Sequence, residues 1–221
     1  MKVTYSVLIS LCIFFQFDVS HASNADSLYQ QLDQVNHLTA RADILYALSK
    51  TLISEDWDRA LAVAKEHKEV ALQLKAQDRL AKGNFLIGYL YDTKNKHEEA
   101  VVHYFAAVDL YRSLHDFKMV SYTLKNLGAI YYQTQSYETA RNLYDECLLI
   151  DQELANLSSL AALQIRMGKV AAKLQDFESA TVFFDKALTI YAYIEQPSQQ
   201  ADTYNELGII YDQQDDFDSA I

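Results

Sequence analysis

Cysteine is nearly absent from this chain. Its 221 residues hold two, Cys12 and Cys147. Cys12 sits inside an apolar leader, so Cys147 stands alone in the processed chain and cannot form an intramolecular disulfide. Its expected role is that of a small buried residue. Glycine is scarce as well, with five in all. Four keep a fixed spacing and the fifth, Gly83, reads as isolated at a helix start, so no glycine-rich phosphate loop exists. No serine occupies a nucleophile elbow. His97 and His103 lie six apart, on different faces of a helix, and no histidine follows His97-Glu98-Glu99 at Val101. A zinc pair on a helix prefers a spacing of four, so no metal site and no cofactor is expected. Basic charge is in deficit, with 19 Lys and Arg against 30 Asp and Glu, a net of −11. That balance argues against nucleic acid as a partner. No nucleophile, base and orienting group come together, so the chain does not read as an enzyme.

The first thing present is a leader. Lys2 gives a positive start, Val3 to Phe15 is an almost unbroken apolar run, and Ser20-His21-Ala22 places small residues where a signal peptidase cuts. Residues 1–22 are expected to be a secretory signal peptide. The run falls short of the ~20 residues of a spanning helix. Leu11 stands before Cys12, which does not suit a lipoprotein site. The mature chain, from Ser23, is expected to be exported to a periplasmic or other extracytoplasmic space, without membrane insertion.

The second is a ladder. Gly88, Gly128, Gly168 and Gly208 recur every 40 residues. Ala100, Ala140, Ala180 and Ala220 follow them at a constant offset, as do His97, Tyr137, Phe177 and Phe217. A period in this range marks stacked supersecondary units. In one unit, Leu124, Leu127 and Tyr131 recur at helical spacing around Gly128, and Ala140, Leu143, Tyr144, Cys147 and Leu148 form a second apolar stripe,. A polar stretch from Gln133 to Ser136 separates them. Each unit is therefore helix, tight turn, helix. Asp56, Ser136, Asp176 and Asp216 are placed to cap the second helices. Glycine inside a helix costs about 1 kcal/mol relative to alanine, so its recurrence needs a steric reason. The expected one is close contact of Gly128 with Ala140, while Tyr104, Tyr144 and Phe184 fill the space toward the next unit. Tyr104, Tyr111, Tyr131, Tyr144, Tyr191 and Tyr211 read as core residues whose hydroxyls reach the edge of the stack.

Leu127-Gly128, Tyr131, Tyr137, Ala140, Tyr144 and Cys147, with their equivalents 40 residues away, resemble the tetratricopeptide repeat. The resemblance covers Arg41 to the C-terminus and implies an all-α solenoid of antiparallel helix pairs. The usual unit is about 34 residues, and the proline that closes it is missing here except for Pro197. Expected divisions are the signal peptide at 1–22, a capping helix within 23–40, and repeats at 41–80, 81–120, 121–160 and 161–200. With a partial fifth unit at 201–221, the chain reads as the front of a longer protein or as a truncated reading frame. Long-unit arrays behind a signal peptide resemble the extracytoplasmic parts of bacterial membrane-bound signalling proteins of the diguanylate cyclase or histidine kinase type. A freestanding periplasmic scaffold and a small-molecule receptor are the other readings.

In the family, the first helices line a concave face. The resemblance places Tyr89, Tyr122, Lys125, Tyr132, Arg166, Lys169 and Lys173 on that face. Basic and aromatic groups together suit a protein or peptide partner with an acidic or C-terminal carboxylate group. The chaperone carboxylate clamp fits poorly: Asn126 and Arg166 match it, while Phe85, Tyr89 and Ala162 do not. Oligomeric state is not legible.

Overall fold

The computed structural model describes residues 24–213. The expected signal peptide and the expected start of the last unit's second helix, with Asp216, Phe217 and Ala220, lie outside the described residues. Within them the chain is all α-helix. The elements are α1 (Asn24–Gln34), α2 (Leu38–Leu52), α3 (Trp57–Gln73), α4 (Gln77–Asp92), α5 (His97–Ser113), α6 (Phe117–Gln133), α7 (Tyr137–Glu153), α8 (Leu157–Lys173), α9 (Phe177–Tyr193) and α10 (Pro197–Gln213). Each helix packs on the next in sequence, and α2 also touches α4. The result is a solenoid of antiparallel pairs: α2 with α3, α4 with α5, α6 with α7 and α8 with α9. The α1 helix packs on α2, where Ala25 is buried and Leu28 and Leu32 join the first core cluster.

From α3 onward the connections are built alike. Lys75, Asn95, His115, Gln135, Ala155, Gln175 and Glu195 each have φ between 51° and 63°. They fall every 20 residues, one between each pair of consecutive helices. The following amide returns to a carbonyl five residues back, as in Asp116 N to Tyr111 O at 3.0 Å and Asp176 N to Ala171 O at 2.9 Å. This is the Schellman ending, in which a left-handed residue closes the helix and satisfies its last carbonyls. The residue after it opens the next helix, so a single polar side chain often finishes one element and caps another. Asp56, Asp116, Asn156 and Asp176 accept from the amides of Arg59, Met119, Ser159 and Ser179 at 3.0–3.1 Å. Ser136, expected to cap α7, makes no such bond.

The glycine ladder works differently from the expected glycine–alanine contact. A Cβ on Gly88 would sit 2.9 Å from Cδ1 of Tyr104, and one on Gly168 would sit 2.9 Å from Cε1 of Phe184. At Gly128 the Tyr144 ring is closer still. Each of these three glycines is thus the seat of the ring from its own pair's second helix, and from that seat Tyr144 reaches a cavity it shares with Ile165 and Arg166 of the next pair. The alanines lie nearby: the Ala100 carbonyl would be 3.2 Å from a Cβ on Gly88. Tyr104, Tyr144 and Phe184 are all buried. Gly83 is not isolated; it lies buried within α4, where a Cβ would meet His67 Cδ2 at 3.0 Å. His67 fills the slot held by Ala107, Cys147 and Ala187 in later units. It is 1% exposed, and its ring nitrogens lie 2.8 Å from Ala42 O and 3.0 Å from Arg79 O. A large residue in a small slot is matched by a glycine across from it.

Candidate functional site

The first helices α6 and α8 and the second helix α7 surround an open concavity. Ala129, Tyr132 and Gln133 come from α6, Tyr144 from α7, and Ile165, Arg166 and Lys169 from α8. The cavity is about 440 Å³ and opens to solvent, within the size range of ligand pockets. Tyr144 reaches it because its ring lies across Gly128. Burial raises the Tyr144 phenol above its ordinary range, and the nearby guanidinium of Arg166 opposes that rise. Lys169 pairs with Glu206 of α10 at 2.7 Å and remains partly exposed. The Tyr132 ring stands edge-on to Tyr137 at 5.5 Å; burial raises its phenol, with Tyr137 and Glu206 adding to the effect. The site offers two cations, two phenols and an apolar wall of Ala129 and Ile165. Such a set can hold an anionic group attached to a small apolar one.

Three of the seven residues expected in the groove, Tyr132, Arg166 and Lys169, meet in this pocket. Lys173 is exposed farther along α8 and is not part of the lining. Tyr89 and Tyr122 are exposed and belong to a second cluster, where Tyr122 packs on Phe85 at 5.5 Å and Phe85 on Tyr104 at 5.6 Å. The Tyr104 hydroxyl is buried without a hydrogen-bond partner. Burial raises this phenol far above its ordinary range, reinforced by Asp92, Tyr122 and Tyr89. It therefore does not reach the edge of the stack as expected of the core tyrosines.

Lys125 does not supply a free cation to the groove. Its Nζ donates to Asp151 at 2.9 Å and to Ser159 Oγ at 2.6 Å. Asp151, 2% exposed, also accepts from Ser121 Oγ at 2.6 Å and Ser159 Oγ at 2.9 Å. The reason is legible only by comparing units. Asp151 stands where the neighbouring units have Tyr111 and Tyr191, Lys125 where they have Phe85 and Ile165, and Ser121 where they have Ala81 and Ala161. One unit exchanges an apolar contact for a buried ionic one, and the lysine is drawn inward. Cys147 lies beside this network, its thiol 3.5 Å from Ser121 O. Burial pushes that thiol up to about 12.

Among the described residues no cluster of three His, Cys, Asp or Glu side chains could hold a metal ion, and no helix is long and apolar enough to cross a membrane.

No curated protein matches the chain in sequence. Its fold is shared with several solved structures. BtubC (BKLC) from P. vanneervenii has a TM-score of 0.78 at 21% identity, covering 89% of this chain and 85% of that one. A Signal Transduction ATPase with Numerous Domains from Pyrococcus horikoshii, with a tetratricopeptide repeat sensor, has a TM-score of 0.76 at 17% identity over 83% of this chain. A Rap protein complexed with Competence and Sporulation Factor has a TM-score of 0.66 at 14% identity over 87%. The chain spans 29% of the second protein's length and 64% of the third's. At these identities the likeness is one of fold. Tetratricopeptide repeat family models match residues 81–114 and 119–192, which take in the helix pairs that carry the glycine–ring seats, and the chain is a tetratricopeptide repeat protein.

Proposed function

We infer that its tetratricopeptide repeats make this chain a protein–protein interaction module. We propose that it captures a peptide segment of a partner along the face lined by its first helices, with a carboxylate seated between Arg166 and Lys169. The observation that carries this reading is the convergence of those two cations with Tyr132, Tyr144 and an apolar wall in one open cavity of about 440 Å³. The carboxylate is a C-terminal one or an acidic side chain. The Arg166 guanidinium offers several donors in a fixed plane, which suits a carboxylate geometrically. Lys169 is released for the ligand when Glu206 turns to solvent. Tyr89 and Tyr122 extend the contact surface toward the N-terminal units. The chain acts here as a binding module and not as an enzyme.

The cellular setting belongs to the same proposal. The leader read in residues 1–22 supports export, and the fold shared with the Pyrococcus horikoshii signal-transduction ATPase, which has a tetratricopeptide repeat sensor, supports a sensory region within a larger signalling protein. A freestanding envelope scaffold is the competing setting.

Display of random C-terminal peptides on phage, followed by fluorescence anisotropy of the selected sequences, tests the binding reading. Free-carboxylate peptides are expected to bind, and Arg166→Glu with Lys169→Glu to weaken them about tenfold or more, a change of ~1.4 kcal/mol. Equal affinity in wild type and variant would remove the site.

A further inference from the structure

A second surface lies on the other side of the stack. Tyr91 follows Tyr89 by two residues on α4, about 200° around the helix at 3.6 residues per turn, so it faces away from the groove. Its ring forms the floor of a seam between the second helices α3 and α5. The Trp57 ring stands 6.2 Å from it, near edge-on, and the His103 ring is stacked on it at 5.8 Å and 14°. Trp57 is anchored by its Nε1–H, which donates to Leu90 O at 2.8 Å. Lysines alternate with these rings. Lys65 Nζ lies 5.9 Å from the Tyr91 centroid, Lys96 Nζ lies 6.0 Å from Tyr91 and 5.4 Å from Trp57, and Lys94 Nζ lies 5.7 Å from Trp57. Lys68 stands close enough to His103 that, after burial, it and Lys65 hold the imidazole below its ordinary range.

The strip is positive on a chain whose net charge is −11. Ion pairs among the described residues engage Lys82, Lys125 and Lys169 and none of the four lysines here. Of the carboxylates nearby, Glu66 pairs with Arg41, and Asp92 with His97. Lys65, Lys94 and Lys96 are exposed. Like charges held on a rigid aromatic platform, with none of them engaged in an ion pair, form an anion-recognition surface.

We propose that this outer strip docks an acidic peptide segment of a partner protein, independently of the groove. A row of ammonium groups spread over two rings matches carboxylates spaced along an extended chain better than it matches a single compact anion. Nucleic acid fits less well on two counts. Beyond the strip a long polyanion meets an acidic body, and Tyr91, flanked by Trp57, His103 and two ammonium groups, has no free face for a base to stack on.

The test uses the full chain and a fluorescein-labelled oligoglutamate peptide with an amidated C-terminus, read by fluorescence anisotropy at low salt. Saturable binding is expected, weakened about tenfold or more by Lys94→Glu with Lys96→Glu, and reduced to a lesser extent by Lys94→Gln with Lys96→Gln. In an Arg166→Glu, Lys169→Glu background, which removes any share of the probe taken by the groove, saturable binding and its dependence on Lys94 and Lys96 are expected to persist. These positions are exposed, so helical circular dichroism should not change in any variant. Absence of saturable binding, equal binding by the Lys94 and Lys96 variants, or loss confined to the Arg166 and Lys169 variant would overturn the proposal. So would tighter binding of a single-stranded oligonucleotide of equal charge.

Discussion

At Gly128 the conflict between local preference and packing is sharpest. Alanine would favour the helix by about 1 kcal/mol, yet its Cβ would enter the Tyr144 ring. Gly128→Ala is expected to destabilise by ~1–3 kcal/mol in urea denaturation, the usual cost of overpacking; a stabilised variant would refute the seat. The ladder itself was visible in the sequence, because 40-residue spacing needs no structure to detect. Its partner was not, because Ala140 and Tyr144 keep equal register with Gly128 and spacing alone cannot say which one touches it. Cys147 supplies a pH test. A thiol whose folded value is raised to about 12 keeps its proton in the native state after the unfolded chain has lost its own. Its contribution is therefore complete below about pH 8.5 and is lost as pH rises toward the folded value. Burial raises the phenols of Tyr104 and Tyr111 as well, and their contributions fade in the same direction. Stability should fall on the alkaline side, and Cys147→Ala, which places there the residue of the neighbouring units, should make the fall from about pH 8.5 upward shallower. Denaturation midpoints against pH, wild type beside variant, check this.

At the scale of the element, the helix pairs were legible from apolar periodicity, and the connections were not. The usual marker of a Schellman ending is glycine at the left-handed position. This chain places its glycines inside helices, and uses Lys75, Asn95, His115, Gln135, Ala155, Gln175 and Glu195 at positive φ. Ala155 has neither glycine's freedom nor a polar side chain to compensate. Left-handed backbone costs an ordinary residue roughly 1–2 kcal/mol, and glycine's greater freedom in the unfolded chain offsets part of any gain. Ala155→Gly is expected to raise the thermal midpoint, with a net stabilisation of up to ~1 kcal/mol; an unchanged or lower midpoint would contradict this. The caps were read at Asp56 and Asp176 by analogy along the ladder. Asp116 and Asn156 were not legible in the same way, because they precede first helices and fall outside the register of the second-helix caps. Asp116→Ala should cost about 1 kcal/mol.

At the scale of the molecule, stability in a stacked array is shared between units and their interfaces. The junction of the third and fourth pairs differs from its neighbours because Lys125, Asp151, Ser121 and Ser159 form a buried polar network. Removing one partner of such a pair strands a charge, so Asp151→Ala should cost ~3–5 kcal/mol. Replacing the set by the residues of the preceding unit, with Ser121→Ala, Lys125→Phe and Asp151→Tyr together, should recover most of that loss, since buried ion pairs are often matched by well-packed apolar groups. A triple variant no more stable than Asp151→Ala would show that the network has no apolar equivalent here. The same network explains why the groove was only partly legible. Family position placed Lys125 on the binding face, and a carboxylate distant in sequence turned it inward. Arg166 and Lys169 lie on α8, the first helix of the next unit, and line the cavity, where Lys169 is held by Glu206 in a partly exposed pair. The measurement that tests the peptide-binding account most directly is photo-cross-linking of a selected peptide that carries the reactive group beside its terminal carboxylate. The account predicts attachment to α6 and α8, near Tyr132, Gln133 and Ile165, and its loss with Arg166→Glu and Lys169→Glu. Attachment to the outer helices α5 or α9, undiminished in that variant, would contradict it.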